Sequence, residues 1–208
     1  MKGLLLKDWY MVVKYCKAYL LICLVFIGVS IMSDDNFFFI LYPCILCGMI
    51  PVTLLGYDER SKWDQYCAAL PYTKAQIVSG KYLLGMGTQI GMLLLSAVIQ
   101  VIRMRVSGAF SWKSFSSILS MLAILSFLTP AISLPPMFRW GVEKGRMAYY
   151  ISVGLVCGIS AFVVNVSDIT LLGFLPNSAA MLLLGLASLV AYGISWYLSI
   201  LFYQKREG

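Results

Sequence analysis

Six long apolar stretches dominate the sequence and limit the folds that are open to it. Charged or turn residues bound each stretch, and most approach or exceed the roughly 20 residues with which a helix spans the hydrocarbon core of a bilayer. The stretches are Ala18–Ser33, Phe37–Tyr57, Tyr82–Ile102, Phe115–Phe138, Met147–Val166 and Asn177–Phe202. We therefore expect an all-α fold in which residues 1–208 form one polytopic membrane domain with six transmembrane helices.

The positive charges predict which side of the membrane each connection occupies. With six spans, 13 of the 16 Lys and Arg residues lie on one side, in the N-terminal arm, the loops 58–81 and 139–146, and the C-terminal tail. The positive-inside rule places that side, with both termini, in the cytoplasm. The exceptions are Arg103, Arg105 and Lys113. We interpret Arg103 and Arg105 as side chains that reach the interface from a helix end, and the alternative is a reversed topology.

Composition and missing residue types exclude several classes of protein. Hydrophobic residues make up 61% of the chain and charged residues 12%, so a soluble fold could not cover its apolar surface. Histidine is absent, and so is the phosphate-binding pattern G-x-x-x-x-G-K-[ST]. The Cys44-x-x-Cys47 pair lies inside an apolar stretch, where packing is the better explanation. We expect a chain that is not an enzyme and binds no metal, cofactor or nucleic acid.

Residues 1–17 have the pattern of an amphipathic helix that lies in the head-group plane. The apolar residues with helical spacing are Leu5, Trp9, Val12 and Cys16. Three cations fall on another face: Lys7, Lys14 and Lys17. Asp8 is an awkward neighbour of the apolar side. The alternative is a longer first span with a charged cytoplasmic extension.

The loop of residues 58–81 between the second and third spans is predicted to contain two helices. Asp58 and Glu59 suit a helix N-terminus, and Pro71 ends that helix. Between them is an apolar stripe with i, i+3, i+4, i+7 spacing: Trp63, Tyr66, Cys67 and Leu70. This element is expected either to dock a partner or to anchor the loop in the interface through its aromatic residues.

The second helix of the loop is expected to continue into the third span. Thr73 and Gln76 have the spacing of a capping box, in which each side chain bonds to the backbone N–H of the other residue. Gly80 and Lys81 then lead into the apolar stretch that begins at Tyr82. Pro71 is the corner between the two helices.

The distribution of polar residues bears on the energy source. None of the nine acidic residues falls inside a proposed span, whereas carriers coupled to protons or ions usually hold an ionisable residue at membrane depth. The polar groups that could line a passage are uncharged, and the candidates are Gln89, Gln100 and Asn165. Such a passage suits an amphipathic or lipid-like passenger. Energy for uphill movement would have to enter through a partner.

These features resemble the small bacterial permeases of the type-2 ABC exporter family. The resemblance covers nearly the whole chain, and its most specific part is the loop that reads Asp58-Glu59 … Trp63 … Tyr66 … Leu70-Pro71 … Gly80-Lys81. It implies a multi-pass protein of the bacterial plasma membrane that works as a dimer, either homo- or heterodimeric. It also implies a separate P-loop ATPase subunit that binds the ATP and Mg²⁺, while this chain binds neither.

In that family the loop after the second span is the coupling helix, which the ATPase subunit holds. The resemblance therefore implies a docking surface formed by Asp58, Glu59, Arg60, Trp63, Tyr66, Leu70 and Pro71. The loop Arg139–Arg146 would add a smaller contact. The implied function is outward transport of an amphipathic peptide, antimicrobial, drug or lipid-like substrate. The alternatives are a six-helix substrate-capture subunit of an importer, or a membrane immunity or sensor protein that transports nothing.

Overall fold

A computed structural model describes residues 2–32, 37–106, 111–151 and 178–205, and the elements in these ranges are helices. In chain order they are α1 (Lys2–Tyr15), α2 (Lys17–Met32), α3 (Phe37–Gly48), α4 (Ile50–Arg60), α5 (Trp63–Ala68), α6 (Lys74–Val106), α7 (Trp112–Trp140), α8 (described over 142–151) and α9 (Ser178–Lys205). The predicted all-α class is therefore confirmed for the described part of the chain.

Four segments in the described ranges are long and apolar enough to cross a membrane: Phe39–Arg60, Lys74–Arg105, Ser114–Trp140 and Leu184–Lys205. They agree with the predicted second, third, fourth and sixth spans. A fifth candidate is the pair α1 and α2, which is bent by 64°. Most of the predicted span at 147–166 lies outside the described residues, so the count of six stays a prediction. The chain is a multi-pass membrane protein.

The N-terminal helix predicted within residues 1–17 is present as α1, and one of its faces packs against the protein. Residues Leu4, Asp8 and Val12 are buried on α1, whereas Trp9 is largely exposed and Leu5 only partly buried. The position of this helix in the head-group plane stays a prediction. Asp8, expected beside the apolar side, points inward to charged partners.

The loop after the second span differs from its predicted form at its first helix. Asp58 and Glu59 lie in the last turn of α4, which continues to Arg60, and do not begin a new helix. The chain then turns through Lys62, whose φ of 54° is left-handed, before the six-residue α5 begins at Trp63. The turn separates α4 from α5, so the first helix of the loop is shorter than the sequence pattern indicates.

The second part of the loop follows the prediction. Gln76 N–H donates to Thr73 Oγ1, and Thr73 N–H donates to Gln76 Oε1, both at 3.3 Å. This reciprocal capping box starts α6, which continues without a break for 33 residues to Val106. The loop is therefore rigidly continuous with the third predicted span.

Helix α9 is held against α6 by a polar and aromatic contact. The Tyr82 hydroxyl lies 2.8 Å from Ser195 Oγ and 2.7 Å from Ser199 Oγ. The Tyr192 hydroxyl donates to the Tyr82 carbonyl at 2.8 Å, and the Trp196 ring stacks on the Tyr82 ring at 5.7 Å. These bonds satisfy polar groups that would otherwise lie unpaired in an apolar environment.

Candidate functional site

Four charged side chains meet where α1, α4 and α6 converge, and we call them the junction cluster: Lys7, Asp8, Asp58 and Lys81. Lys81 Nζ lies 2.7 Å from Asp8 Oδ1 and also pairs with Asp58. Lys7 Nζ lies 2.8 Å from Asp58 Oδ1 and 3.3 Å from Asp8 Oδ1. Each cation thus contacts both carboxylates, and the two positive charges balance the two negative ones.

Three of the four side chains of the junction cluster are deeply buried, and that of Lys7 is 23% exposed. The side chains of Lys81 and Asp8 are each 2% exposed and that of Asp58 is 8% exposed. A charge removed from water costs several kcal/mol unless it is well paired, and removal of one partner leaves the other charge uncompensated. The four side chains therefore hold α1, the end of α4 and the start of α6 in one arrangement.

Helix α5 is tied to the same cluster. Lys7 Nζ lies 4.0 Å from the centroid of the Trp63 ring, which is the geometry of a cation–π contact. Trp63 is the first residue of α5. A short helix of six residues has little stability of its own, so this contact and the burial of Cys67 fix its position.

The predicted apolar stripe of α5 is divided between two environments. Cys67 is buried and Trp63 packs under Lys7, whereas Tyr66 is 67% exposed and Leu70 is 41% exposed. Glu59, Arg60 and Pro71 are also exposed. Two of the residues expected on the docking surface are not exposed, because Asp58 lies inside the junction cluster and Trp63 packs under Lys7. Asp58 can influence docking only through the elements that it holds.

The two predicted cytoplasmic loops are in contact. Glu59 Oε2 accepts a hydrogen bond of 2.7 Å from the backbone N–H of Val142, the first residue of α8. A carboxylate at a helix N-terminus satisfies a free donor and interacts favourably with the helix dipole. The end of α4 and the start of α8 are thereby joined into one surface.

Two of the residues predicted to line a passage are buried within the described part of the chain. Gln89 is fully buried and its Nε2 donates to the Ser126 carbonyl at 2.7 Å. Pro130 lacks the N–H that would bond to this carbonyl in a regular helix, so Gln89 replaces the missing donor. Gln100 is also buried within the chain. Asn165 lies outside the described residues, and the passage stays a prediction.

The ion pairs of the junction cluster were missed by sequence reasoning. Lys81 was expected only to begin a membrane helix, and Asp8 to lie awkwardly beside an apolar face. A usable signal was present in Asp8, because an acid on the inward side of an amphipathic helix needs a cationic partner. The partner is 73 residues away in the chain, and only the fold brings it near.

Comparison with known proteins gives one match. The sequence profile described as "ABC-2 family transporter protein" matches residues 3–204. Neither a curated protein nor a solved structure matches the chain. The profile covers the amphipathic helix, the junction cluster and all four of the described candidate spans. With nearly its whole length matched, the chain belongs to the ABC-2 family of transporter proteins.

Proposed function

We propose that this chain is the permease subunit of an ATP-driven exporter and that a separate P-loop ATPase subunit docks on its cytoplasmic face. The observation that carries the proposal is α5, a short helix with exposed apolar side chains whose first residue, Trp63, packs under Lys7 of the junction cluster. An exposed tyrosine and leucine on a fixed helix are suited to fill a groove on another protein.

The docking surface consists of the exposed part of the loop and its neighbour on α4: Glu59, Arg60, Tyr66, Leu70 and Pro71. Its apolar centre is Tyr66 and Leu70, and its charged edge is Glu59 and Arg60. This arrangement of an apolar centre within a polar rim is typical of protein interfaces. The contact of Glu59 with α8 brings the loop Arg139–Arg146 to the same surface.

Movement of the ATPase would reach the membrane through rigid connections. The contact of Trp63 with Lys7 connects α5 to the junction cluster, and Lys81 connects that cluster to α6. Helix α6 has 33 residues and is about 50 Å long, so displacement of its cytoplasmic end moves a full membrane span. Rigid-body movement of this kind is a common route of conformational coupling. The coupling is reciprocal, so a bound passenger would alter nucleotide affinity in the ATPase.

The passenger is proposed to be amphipathic: a peptide, antimicrobial, drug or lipid-like compound. In the four described spans the charged side chains lie near the helix ends, and the interior holds neutral polar groups. This distribution does not suit the binding of a small ion at membrane depth. Two such chains would form the passage between them, and the ATPase subunits would bind the ATP and Mg²⁺.

The docking proposal is tested with a matched pair of double variants. Tyr66→Ala/Leu70→Ala removes the apolar centre of the surface, and Tyr197→Ala/Leu198→Ala removes the same residue types from α9. The pairs match in exposure, at 67% and 41% on the loop and 64% and 38% on α9. Both variants are co-expressed with the ATPase subunit, purified through a tag on this chain, and reconstituted into liposomes.

We expect the loop variant to remain inserted but to retain less than a tenth of the ATPase, because hot-spot side chains contribute about 2 kcal/mol or more each. ATP-dependent movement of a fluorescent amphipathic peptide should fall with it. The α9 variant should retain the ATPase. Equal recovery of the ATPase with both variants would contradict docking at α5.

A further inference from the structure

A cleft of about 480 Å³ opens between the end of α4 and the segment where α7 passes into α8. Three cations line it: Arg60, Lys144 and Arg146. None of the three has an ion-pair partner within residues 2–32, 37–106, 111–151 and 178–205. This contrasts with the junction cluster, where each cation is paired. The cleft therefore presents positive charge that the described protein does not neutralise.

Two carboxylates also line the cleft. Glu59 is engaged by the N-terminus of α8, since it accepts a hydrogen bond of 2.7 Å from Val142 N–H. Glu143 is the other. The lining thus carries three positive charges against two negative ones, and one of the negative charges is partly balanced by the helix dipole. The cleft suits a ligand that is anionic and that also offers a hydrogen-bond donor to Glu143.

Neighbouring aromatic residues place the cleft at the depth of the lipid head groups. The Tyr57 ring, in the cleft wall, stacks on Tyr15 at the bend between α1 and α2, with centroids 4.4 Å apart. Helix α1 has an exposed stripe with i, i+3, i+4, i+7 spacing, the pattern of a helix at the membrane surface: Leu6, Trp9, Tyr10 and Val13. Trp140, half exposed at the cleft mouth, is a residue type enriched at this depth.

The cleft is kept open by the absence of a side chain at Gly56. A Cβ atom at this position would lie 3.5 Å from Arg146 Nη2 and 3.6 Å from Val142 Cγ1. A longer side chain on the same bond would therefore occupy the space beside the Arg146 guanidinium. Guanidinium groups bind phosphate oxygens in a bidentate manner, and lysine adds a point charge.

We propose that this cleft binds the head group of an anionic phospholipid, with the phosphate on Arg60, Lys144 and Arg146. The hydroxyl groups of a glycerol head group can donate hydrogen bonds to the Glu143 carboxylate. Phosphatidylglycerol is therefore the lipid class that fits the cleft. The bound lipid would fasten α4 to α8 from the membrane side. This inference goes beyond the transport function proposed above and can be tested without the ATPase subunit.

The test measures lipid binding to the purified full chain in detergent micelles by native mass spectrometry, with dioleoyl-phosphatidylglycerol and dioleoyl-phosphatidylcholine as probes. The cleft variant removes the three cations: Arg60→Gln/Lys144→Gln/Arg146→Gln. The control removes three other exposed lysines: Lys2→Gln/Lys17→Gln/Lys205→Gln. A further variant, Gly56→Leu, fills the cleft and leaves its charge unchanged.

We expect the wild-type chain and the control to bind phosphatidylglycerol about tenfold or more tightly than phosphatidylcholine, since each cation near a lipid surface contributes substantially. The cleft variant and Gly56→Leu should lose this preference. A preference that survives in both would overturn the proposal, and so would an equal loss in the control, which would indicate diffuse attraction.

Two further outcomes would assign the cleft to another ligand and so overturn the proposal. Displacement of the lipid by glycerol 3-phosphate at equal concentration would indicate a site for soluble phosphate esters. Unchanged lipid binding by the cleft variant, with loss of ATPase co-purification, would assign the three cations to the docking surface proposed above and not to a lipid.

Discussion

Two positions on α6 show how differently the chain uses polar groups at the junction cluster and in its apolar interior. Lys81 is bound by two carboxylates that come from α1 and α4. Gln89, about 12 Å further along the same helix, makes a single hydrogen bond to the Ser126 carbonyl. Both side chains are buried, but one carries charge and the other does not.

The difference follows from what surrounds each residue. At the junction cluster α1, α4 and α6 converge, so a buried charge can reach opposite charges. In the apolar interior a charge would have no such partner, and a neutral amide suffices to satisfy the carbonyl that Pro130 leaves free. Removal of one partner from a buried ion pair costs about 3–5 kcal/mol, whereas interhelical hydrogen bonds within membranes average about 0.6 kcal/mol. The junction should therefore be rigid and the interior easier to rearrange.

The largest effect is expected from Lys81→Met, which removes one of the two cations of the junction cluster. The variant leaves two carboxylates with Lys7 alone, so the free energy of unfolding should fall by about 3–5 kcal/mol. Unfolding in mixed detergent micelles, followed by tryptophan fluorescence, measures this change.

The control for that variant is Lys74→Met, which removes the exposed lysine that begins the same helix and donates to the Gln204 carbonyl at 3.4 Å. Its loss should stay within about 1 kcal/mol. Equal losses for the two variants would show that burial of Lys81 in the cluster contributes nothing.

A smaller effect is expected from Gln89→Leu, which removes the neutral buried amide of α6. Loss of the bond to the Ser126 carbonyl should lower the free energy of unfolding by about 1 kcal/mol. Because Pro130 is the cause of the free carbonyl, addition of Pro130→Ala should restore a backbone donor and recover the loss. A loss that Pro130→Ala leaves unchanged would point instead to packing around Gln89.

The smallest effect is expected at Gly48. Because Gly48 has no side chain, α3 can approach the hydrogen bond between Gln89 and the Ser126 carbonyl. A Cβ atom at Gly48 would lie 3.3 Å from the Ser126 carbonyl oxygen and 3.4 Å from Gln89 Nε2, so the neighbours must shift slightly. At Gly28 no described atom lies within 4 Å of such a Cβ. We expect Gly28→Ala to stabilise the helix by about 0.5–1 kcal/mol and Gly48→Ala to lose that gain. Thermal unfolding of both variants in one detergent provides the comparison, which equal stabilisation would contradict.

Features with a short-range cause could be predicted from the sequence. The capping box of Thr73 and Gln76 needs only two residues three positions apart, and the structure has both of its hydrogen bonds. The four described spans likewise follow from runs of apolar residues. In each case the physical cause lies within one segment of the chain.

Features that depend on distant partners could not be predicted in this way. The inward face of α1 depends on Lys81, and the end of α4 beyond Asp58 depends on the same cluster. The role of Gln89 depends on a proline in another helix. The short α5 depends on a left-handed residue at Lys62, for which the sequence has no glycine as a signal. Hydrophobic periodicity contains none of this information.

The central claim is that paired buried charges hold α1, α4 and α6 together. Its most direct measurement is a double-mutant cycle on Asp8 and Lys81. The free energy of unfolding in mixed micelles is measured for Asp8→Asn, Lys81→Met and the double variant. A parallel cycle on Asp8 and Lys74 serves as the control. We expect a coupling energy of about 2 kcal/mol or more for Asp8 with Lys81, and additivity within about 0.5 kcal/mol for Asp8 with Lys74. Additivity in both cycles would contradict the account.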